Sequence, residues 1–205
     1  MVKKLKNKKV TKCLLCSNKK LTKMFNLGNF FVSNFVNKKN IIKGNIKCPL
    51  NLLYCKKCTL IQLSHIAPQE LMYRRFYWYK SGVTKTMRDA LKELYSSTLK
   101  HVKLKYNDTV LDIGANDGTL LKYYKKNYTT IGCEPAKNLI GTLKKNCKYV
   151  MNNFWSYKNL SKLIKKNNLK KPKIITAIGM FYDLEDPNRF IRDAAKSLHD
   201  EGIFV

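Results

Sequence analysis

The sequence predicts an α/β protein, a parallel sheet flanked by helices behind a small cysteine-stapled module, and three features carry that prediction. Short apolar runs alternate with amphipathic stretches from residue 109 onward. The first run passes into Asp112-Ile113-Gly114-Ala115-Asn116-Asp117-Gly118-Thr119, a strand end, a turn closed by two glycines and a helix start. Upstream stand two Cys-x-x-Cys pairs, Cys13-Leu-Leu-Cys16 and Cys55-Lys-Lys-Cys58, 38 residues apart.

Residues 1–70 read as a zinc-binding module. A two-residue spacer lets both thiolates of a pair face one ion, so Cys13, Cys16, Cys55 and Cys58 make a tetrahedral Cys₄ site, structural because four thiolates leave no open position. The segment between the pairs needs structure of its own, and residues 24–35 (Met-Phe-Asn-Leu-Gly-Asn-Phe-Phe-Val-Ser-Asn-Phe) supply apolar material for it. Cys48, Cys133 and Cys147 have no partner at ligand spacing and read as small buried hydrophobes.

Residues 71–106 form an aromatic connector and a helix. Tyr73, Phe76, Tyr77, Trp78 and Tyr79 precede Lys80-Ser81-Gly82, and alternation in an extended chain puts Tyr77 and Tyr79 on one side and Phe76 and Trp78 on the other. Two roles are open to this cluster: joining the zinc module to the next domain, or lining a substrate pocket. Apolar residues at 87, 91, 94, 95, 99 and 102 give one stripe of a helix over 86–102, with His101 a cation at its end. His65 and His199 stand alone and carry no chemistry.

Residues 107–205 then repeat strand and helix: strands at 109–113, 129–133, 148–151, 173–178 and 203–205, helices at 119–126, 138–145, 158–166 and 187–198. Right-handed crossovers make this a Rossmann-like parallel sheet with helices on both faces. Gly114 permits the sharp turn, and Gly118 starts the next helix without a Cβ toward a ligand. Glu134 closes the second strand, where an acid accepts both hydroxyls of a ribose. Asn116 replaces the middle glycine of the dinucleotide motif, and no Gly-Lys-Ser/Thr follows. A nucleoside cofactor without a pyrophosphate, S-adenosylmethionine, fits this turn.

The formal charge is +28, and residues 1–69 hold fifteen lysines and no acid. Such a surface attracts polyanions, yet 36 of the 41 basic residues are Lys, whereas phosphate and base readout favour Arg. Solvated lysine faces are the plainer reading. No apolar run is long enough to span a bilayer, and the basic N-terminus lacks a signal-type apolar segment, so the expected location is cytoplasmic.

A resemblance joins these parts. The paired Cys-x-x-Cys, Asn34-Phe35, Pro49-Leu50-Asn51-Leu52 and Cys58-x-Leu60-Ile61-Gln62-Leu63 are similar to the zinc-binding N-terminal domain of the sugar C-methyltransferases. Tyr77-x-Tyr79-x-Ser81-Gly82, residues 112–118, Gly132-Cys133-Glu134-Pro135-Ala136 and residues 181–188 resemble later segments of the same family. The resemblance implies a class I methyltransferase fold that transfers methyl from S-adenosylmethionine to a carbon of a nucleotide-linked deoxysugar. It places Asp112, Gly114, Asn116, Asp117 and Gly118 at the methionine end of the cofactor, Glu134 and Pro135 at the ribose, and Asn153 and Phe154 at the adenine. Tyr77, Tyr79 and Ser81 become substrate-pocket residues.

The chain departs from that family after the fifth strand. The family's base is a His in a Tyr-x-Glu-His segment beyond it, which His65, His101 and His199 do not match, so the sheet reads as incomplete and the catalytic base as lying past residue 205. A short fifth strand with an open edge invites completion by a second chain. The alternative is a basic zinc-containing nucleic-acid-binding protein with a non-catalytic methyltransferase-like domain. Gly179-Met180-Phe181-Tyr182 stands where base-nitrogen methyltransferases carry Asn/Asp-Pro-Pro-aromatic, which argues against a nucleic-acid methyltransferase.

Overall fold

The computed structural model describes residues 6–32 and 46–205, which fall into two units, and Asn34 and Phe35 of the family resemblance lie outside the described residues. The first unit is Met1–Arg75 with Glu185–Asn188. Its strands are β1 (Lys8–Lys9), β2 (Thr22–Phe31), β3 (Lys47–Tyr54), β4 (Ile61–Leu63) and β5 (His65–Ile66). β2, β3 and β4 form an antiparallel sheet in that order, and β1 pairs with β5.

Side-chain alternation explains which residues that sheet buries. Leu53 and Gln62 are directly opposed and both buried, while the neighbouring pairs Tyr54–Ile61 and Leu52–Leu63 point to the other face, where Ile61 and Leu63 are exposed. Gln62 is buried because it is satisfied: its Oε1 accepts the Leu14 N–H at 2.9 Å and its Nε2 donates to the Lys12 carbonyl at 3.3 Å. β4 thereby holds the first cysteine knuckle. The apolar run of β2 behaves otherwise than expected, since Met24, Phe25, Leu27, Phe30 and Phe31 are each about half exposed and build no buried core among the described residues. Cys48 is likewise only half-buried, because it shares its β3 face with Leu50, Leu52 and Tyr54; Cys133 and Cys147 are buried as expected.

The second unit is Phe76–Leu184 with Arg189–Val205. It contains α1 (Lys85–His101), β6 (Thr109–Ile113), α2 (Thr119–Tyr124), β7 (Thr129–Cys133), α3 (Ile140–Asn146), β8 (Tyr149–Met151), α4 (Tyr157–Asn167), β9 (Pro172–Thr176), α5 (Pro187–Ser197) from Arg189 on, and β10 (Ile203–Phe204). Element identities follow the sequence pattern, with ends shifted by a residue or two: α2 stops at Tyr124, and a 3₁₀ turn, Lys137–Leu139, leads into α3.

All pairings in the five-stranded sheet are parallel, in the order β10-β9-β6-β7-β8. β6 is central. The chain winds outward through β7 and β8 and then returns to place β9 on the other side of β6. The direction of winding therefore reverses between β6 and β9, and the crevice at the carboxyl ends of such strands is where ligands bind. Both faces are covered. Val110 and Ile174 pack with Leu91, Leu120, Leu121, Tyr124 and Leu143 on one side; Leu111, Ile113, Ile131 and Ile175 pack with Leu160 and Phe190 on the other. Burying one such Leu or Ile completely is worth about 1.5–3 kcal/mol, so the strands that aim the crevice residues are firmly held. Among the described residues no helix is long and apolar enough to cross a membrane.

Candidate functional site

The turn after β6 is built from alternating left-handed residues, Gly114 (φ 74°), Asn116 (φ 53°) and Gly118 (φ 79°). The Gly114 and Ala115 N–H groups both donate to the Cys133 carbonyl, at 2.8 and 3.1 Å, which fastens the turn to the end of β7. A Cβ at Gly114 would lie 3.1 Å from Met180 Cγ, so the loop after β9 closes over the turn. For Gly118 the structure adds a reason of its own. A Cβ there would meet Asn146 Cβ at 2.8 Å and Leu143 Cδ1 at 2.9 Å, so this glycine makes room for α3 as well as for the backbone twist.

Two buried acids face the crevice from adjacent strand ends. Asp112 is 4% exposed and accepts the Thr176 hydroxyl at 2.6 Å across the β6–β9 junction. Burial pushes its carboxyl up to about 7, the Thr176 hydrogen bond opposing and the Glu134 charge adding. Glu134 is 5% exposed, and burial raises its carboxyl as well, against the backbone N–H groups of Ala136 and Asn116. Those groups donate to Oε1 at 2.8 Å and to Oε2 at 2.9 Å respectively. A carboxylate has about four acceptor positions, so each oxygen keeps one for a ligand hydroxyl.

The aromatic stretch 76–82 runs beside the turn as an irregular extended segment within the same unit. Asn116 Oδ1 accepts the Ser81 N–H at 3.0 Å, and its Nδ2 donates to the Tyr79 carbonyl at 3.0 Å. Asp117 Oδ2 accepts the Gly82 N–H at 2.8 Å, while its Oδ1 takes the Thr119 N–H and hydroxyl at the start of α2. Arg88 of α1 donates to the carbonyls of Gly82 and Val83. The side chains of Asn116 and Asp117 are thus engaged within the protein, by backbone groups and the Thr119 hydroxyl.

Tyr77 is half-buried. Burial raises its phenol above the usual range, with Tyr182, Asp183, Glu134 and Tyr79 adding. Phe76 and Trp78 stack edge to face, ring centroids 4.7 Å apart. Past β8, Asn153 Oδ1 accepts the Phe154 N–H at 3.0 Å, and Asn152 Nδ2 bridges the carbonyls of Glu134 and Pro135 at 2.9 and 3.2 Å.

Sequence reading missed two site residues. Thr176 had a faint signal as a polar residue ending an apolar strand, in register with Asp112. Asn138, which clamps Tyr77, had none, because its role depends on a segment 61 residues away.

In the first unit the four cysteines converge, their sulfurs all within 4.8 Å of one another. Cys13 and Cys58 lie 3.5 Å apart, Cys16 and Cys55 3.6 Å. A tetrahedron with Zn–S bonds of about 2.3 Å has edges of about 3.8 Å, so the donor set and its spacing fit zinc. The two knuckles repeat one backbone pattern. Ser17 N donates to the Cys13 carbonyl and Thr59 N to the Cys55 carbonyl, with Ser17 (φ 59°) and Thr59 (φ 63°) both left-handed.

Residues 79–205 match the family described as a methyltransferase domain. The chain belongs to that methyltransferase family. Residues 13–73 match a zinc binding domain family, a span that contains all four clustered cysteines. A curated relative, the C-methyltransferase NovU of Streptomyces niveus, is 20% identical over 134 residues, 64% of this chain and 32% of that protein. The chain therefore spans about a third of the length of this relative. Among solved structures, SAM-dependent methyltransferases from Geobacter sulfurreducens and Thiobacillus denitrificans, each in complex with S-adenosyl-L-homocysteine, are similar. Each is 15% identical with a TM-score of 0.42, the first covering 62% of this chain and 49% of its own, the second 57% and 46%.

In this member of the methyltransferase family a buried acid and a turn rich in left-handed residues meet at the strand ends, with the aromatic segment beside them. Such a set can hold a ribose-bearing cofactor on one side and leave the aromatic segment for a second ligand. His65 and His199 take no part among the described contacts: His65 Nδ1 bonds the Ser64 hydroxyl, and His199 Nδ1 accepts the Glu201 N–H. His101 ends α1.

Proposed function

We propose that the second unit binds S-adenosylmethionine and serves methyl transfer to a carbon of a nucleotide-linked sugar, in the cytoplasm, with Zn²⁺ a structural ion on Cys13, Cys16, Cys55 and Cys58. The observation that carries the cofactor assignment is Glu134, a buried carboxylate at the end of the second parallel strand, beside the two-glycine turn and with acceptor positions to spare. In this reading Glu134 and Pro135 hold the ribose, Asn153 and Phe154 flank the adenine, and the turn 114–118 with Asp112 lies along the methionine moiety. When bound, the cofactor supplies an electrophilic methyl group.

The sugar assignment is supported by the resemblance of the tyrosine segment and by the relative NovU, whose name is that of a C-methyltransferase. Tyr77, Tyr79 and Ser81 face the acceptor, with the Tyr77 hydroxyl donating to a developing enolate oxygen. Methylation of carbon also requires a proton acceptor. The described contacts of His65 and His199 involve no crevice residue and His101 ends α1, so none of the three is proposed for that role.

Calorimetry on the zinc-loaded protein tests the cofactor. S-adenosylhomocysteine is expected to bind, and Glu134→Ala to weaken it at least tenfold; wild-type protein that ignores it would overturn the assignment. Saturation-transfer NMR with a thymidine-diphosphate deoxysugar tests the acceptor. Transfer to the sugar protons that Tyr77→Phe diminishes is expected, and equal transfer from both proteins would remove the tyrosine segment from the substrate site.

A further inference from the structure

We propose that Asn116 couples the cofactor crevice to the aromatic segment, so that a ligand on Glu134 orders residues 77–82 and the methyl acceptor binds second. This rests on the cofactor reading above and adds a positioning residue to it.

Asn116 is 7% exposed and left-handed at φ 53°. Its backbone N–H donates to Glu134 Oε2, the oxygen a ribose hydroxyl would share. Its side chain points the other way, to the Ser81 N–H and the Tyr79 carbonyl. Oδ1 also accepts the Asp117 N–H at 2.8 Å, which fixes the amide plane and hence the direction of Nδ2. One residue therefore touches the acid of the cofactor side with its main chain and the acceptor side with its amide.

The segment is held by its backbone. Tyr77 N and O, Tyr79 O, Ser81 N and Gly82 N are all engaged, and its aromatic side chains stay accessible to a ligand: Tyr79 is 45% and Trp78 53% exposed. Gly82 is glycine because of close approach, since a Cβ there would lie 2.7 Å from Thr119 Oγ1 and 2.9 Å from Asp117 Oδ2. Asparagine at 116 satisfies requirements that aspartate cannot. Aspartate keeps the shape and tolerates the positive φ, but it turns a carboxylate oxygen toward the Tyr79 carbonyl and loses the donor.

Trypsin cleavage at Lys80, timed by mass spectrometry, reads the coupling without any assay of catalysis. In the wild-type protein saturating S-adenosylhomocysteine should slow cleavage of the Lys80–Ser81 bond at least tenfold. In Asn116→Asp, with saturation verified by calorimetry, that protection should vanish. Protection of the variant equal to wild type, or no protection of the wild type when bound, overturns the proposal. If the wild type binds no S-adenosylhomocysteine, the cofactor reading fails separately. The unliganded proteins then decide: Asn116→Asp must be cut at Lys80 at least tenfold faster than wild type, and equal rates overturn the anchoring. Asn116→Gly, which accepts the same φ and has no side chain, replaces the aspartate variant if circular dichroism shows that the latter does not fold.

Discussion

Asn138 and Tyr77 hold each other twice: the Tyr77 N–H donates to Asn138 Oδ1 at 2.9 Å, and Asn138 Nδ2 donates to the Tyr77 carbonyl at 3.0 Å. The pair imitates a strand pairing with one side chain, at the 3₁₀ turn Lys137–Leu139 just past Glu134. It fixes the Tyr77 backbone against the segment that follows β7. Asn138→Ala removes both bonds, a loss of about 1–3 kcal/mol of local stability. Native-state hydrogen exchange should show the Tyr77 amide exchanging about 5- to 150-fold faster, with the amides of β6 unchanged. Unaltered exchange at Tyr77 would mean that other contacts hold the segment.

Asp112 makes the second unit sensitive to pH in an unusual direction. Its carboxyl is pushed up to about 7, first by burial, whereas in the unfolded chain it titrates at about 3.9. The folded protein therefore binds this proton more tightly, and between about pH 4 and 7 its stability falls as pH rises. Below pH 4 the contribution is intact; above 7 it is gone. Asp112→Asn keeps an oxygen for the Thr176 hydroxyl and removes the titration. The variant should match wild type near pH 4 and exceed it above pH 7 by on the order of 4 kcal/mol, read from urea midpoints at a series of pH values. A gap independent of pH would show that Asp112 does not titrate in this range.

Thr59 carries strain within the zinc module. A β-branched residue at φ 63° is an outlier, and the matching place in the first knuckle holds Ser17, at φ 59°. Position 59 needs the left-handed turn so that its N–H can reach the Cys55 carbonyl at 2.8 Å. Asparagine adopts that conformation more readily. Thr59→Asn should stabilise the zinc-loaded knuckle by about 1 kcal/mol. In competition with a chelator followed by a colorimetric zinc indicator, the variant should lose its zinc about fivefold less readily. A faster loss would show that the Thr59 hydroxyl, which donates to the Cys58 carbonyl at 2.6 Å, matters more than the backbone strain.

The sequence exposed those parts that obey local rules. Strand–helix alternation located β6 to β10, because each strand is a short apolar run and the helices each have one apolar stripe. The knuckles were visible as spacing alone, and their four sulfurs do converge. Two kinds of feature were not legible. Asn116 was visible only as a member of the turn; that its amide is used by Tyr79 and Ser81, 37 and 35 residues earlier, depends on tertiary folding. Apolar content was a poor guide to burial in β2, where Phe25 and Phe30 are about half exposed. Hydrophobic composition says what could be buried, and only the pairing register says which face is covered.

Gly118 and Gly141 separate two reasons for glycine within one helix layer. Gly118 has φ 79°, and a Cβ would meet Asn146 Cβ at 2.8 Å and Leu143 Cδ1 at 2.9 Å. Both neighbours belong to α3, so alanine at 118 must push α3 away from α2 while adopting a disfavoured backbone. Gly141 lies within α3 itself, in an ordinary helical conformation, and a Cβ there would meet nothing within 4 Å. Gly118→Ala should cost about 2–4 kcal/mol, the strained φ and the displaced side chains together. Gly141→Ala should gain about 0.5–1 kcal/mol through the lower conformational entropy of its unfolded chain. Thermal melts of the two variants against wild type should therefore move in opposite directions. If Gly118→Ala melts with wild type, α3 yields easily, and the turn after β6 is not braced from that side.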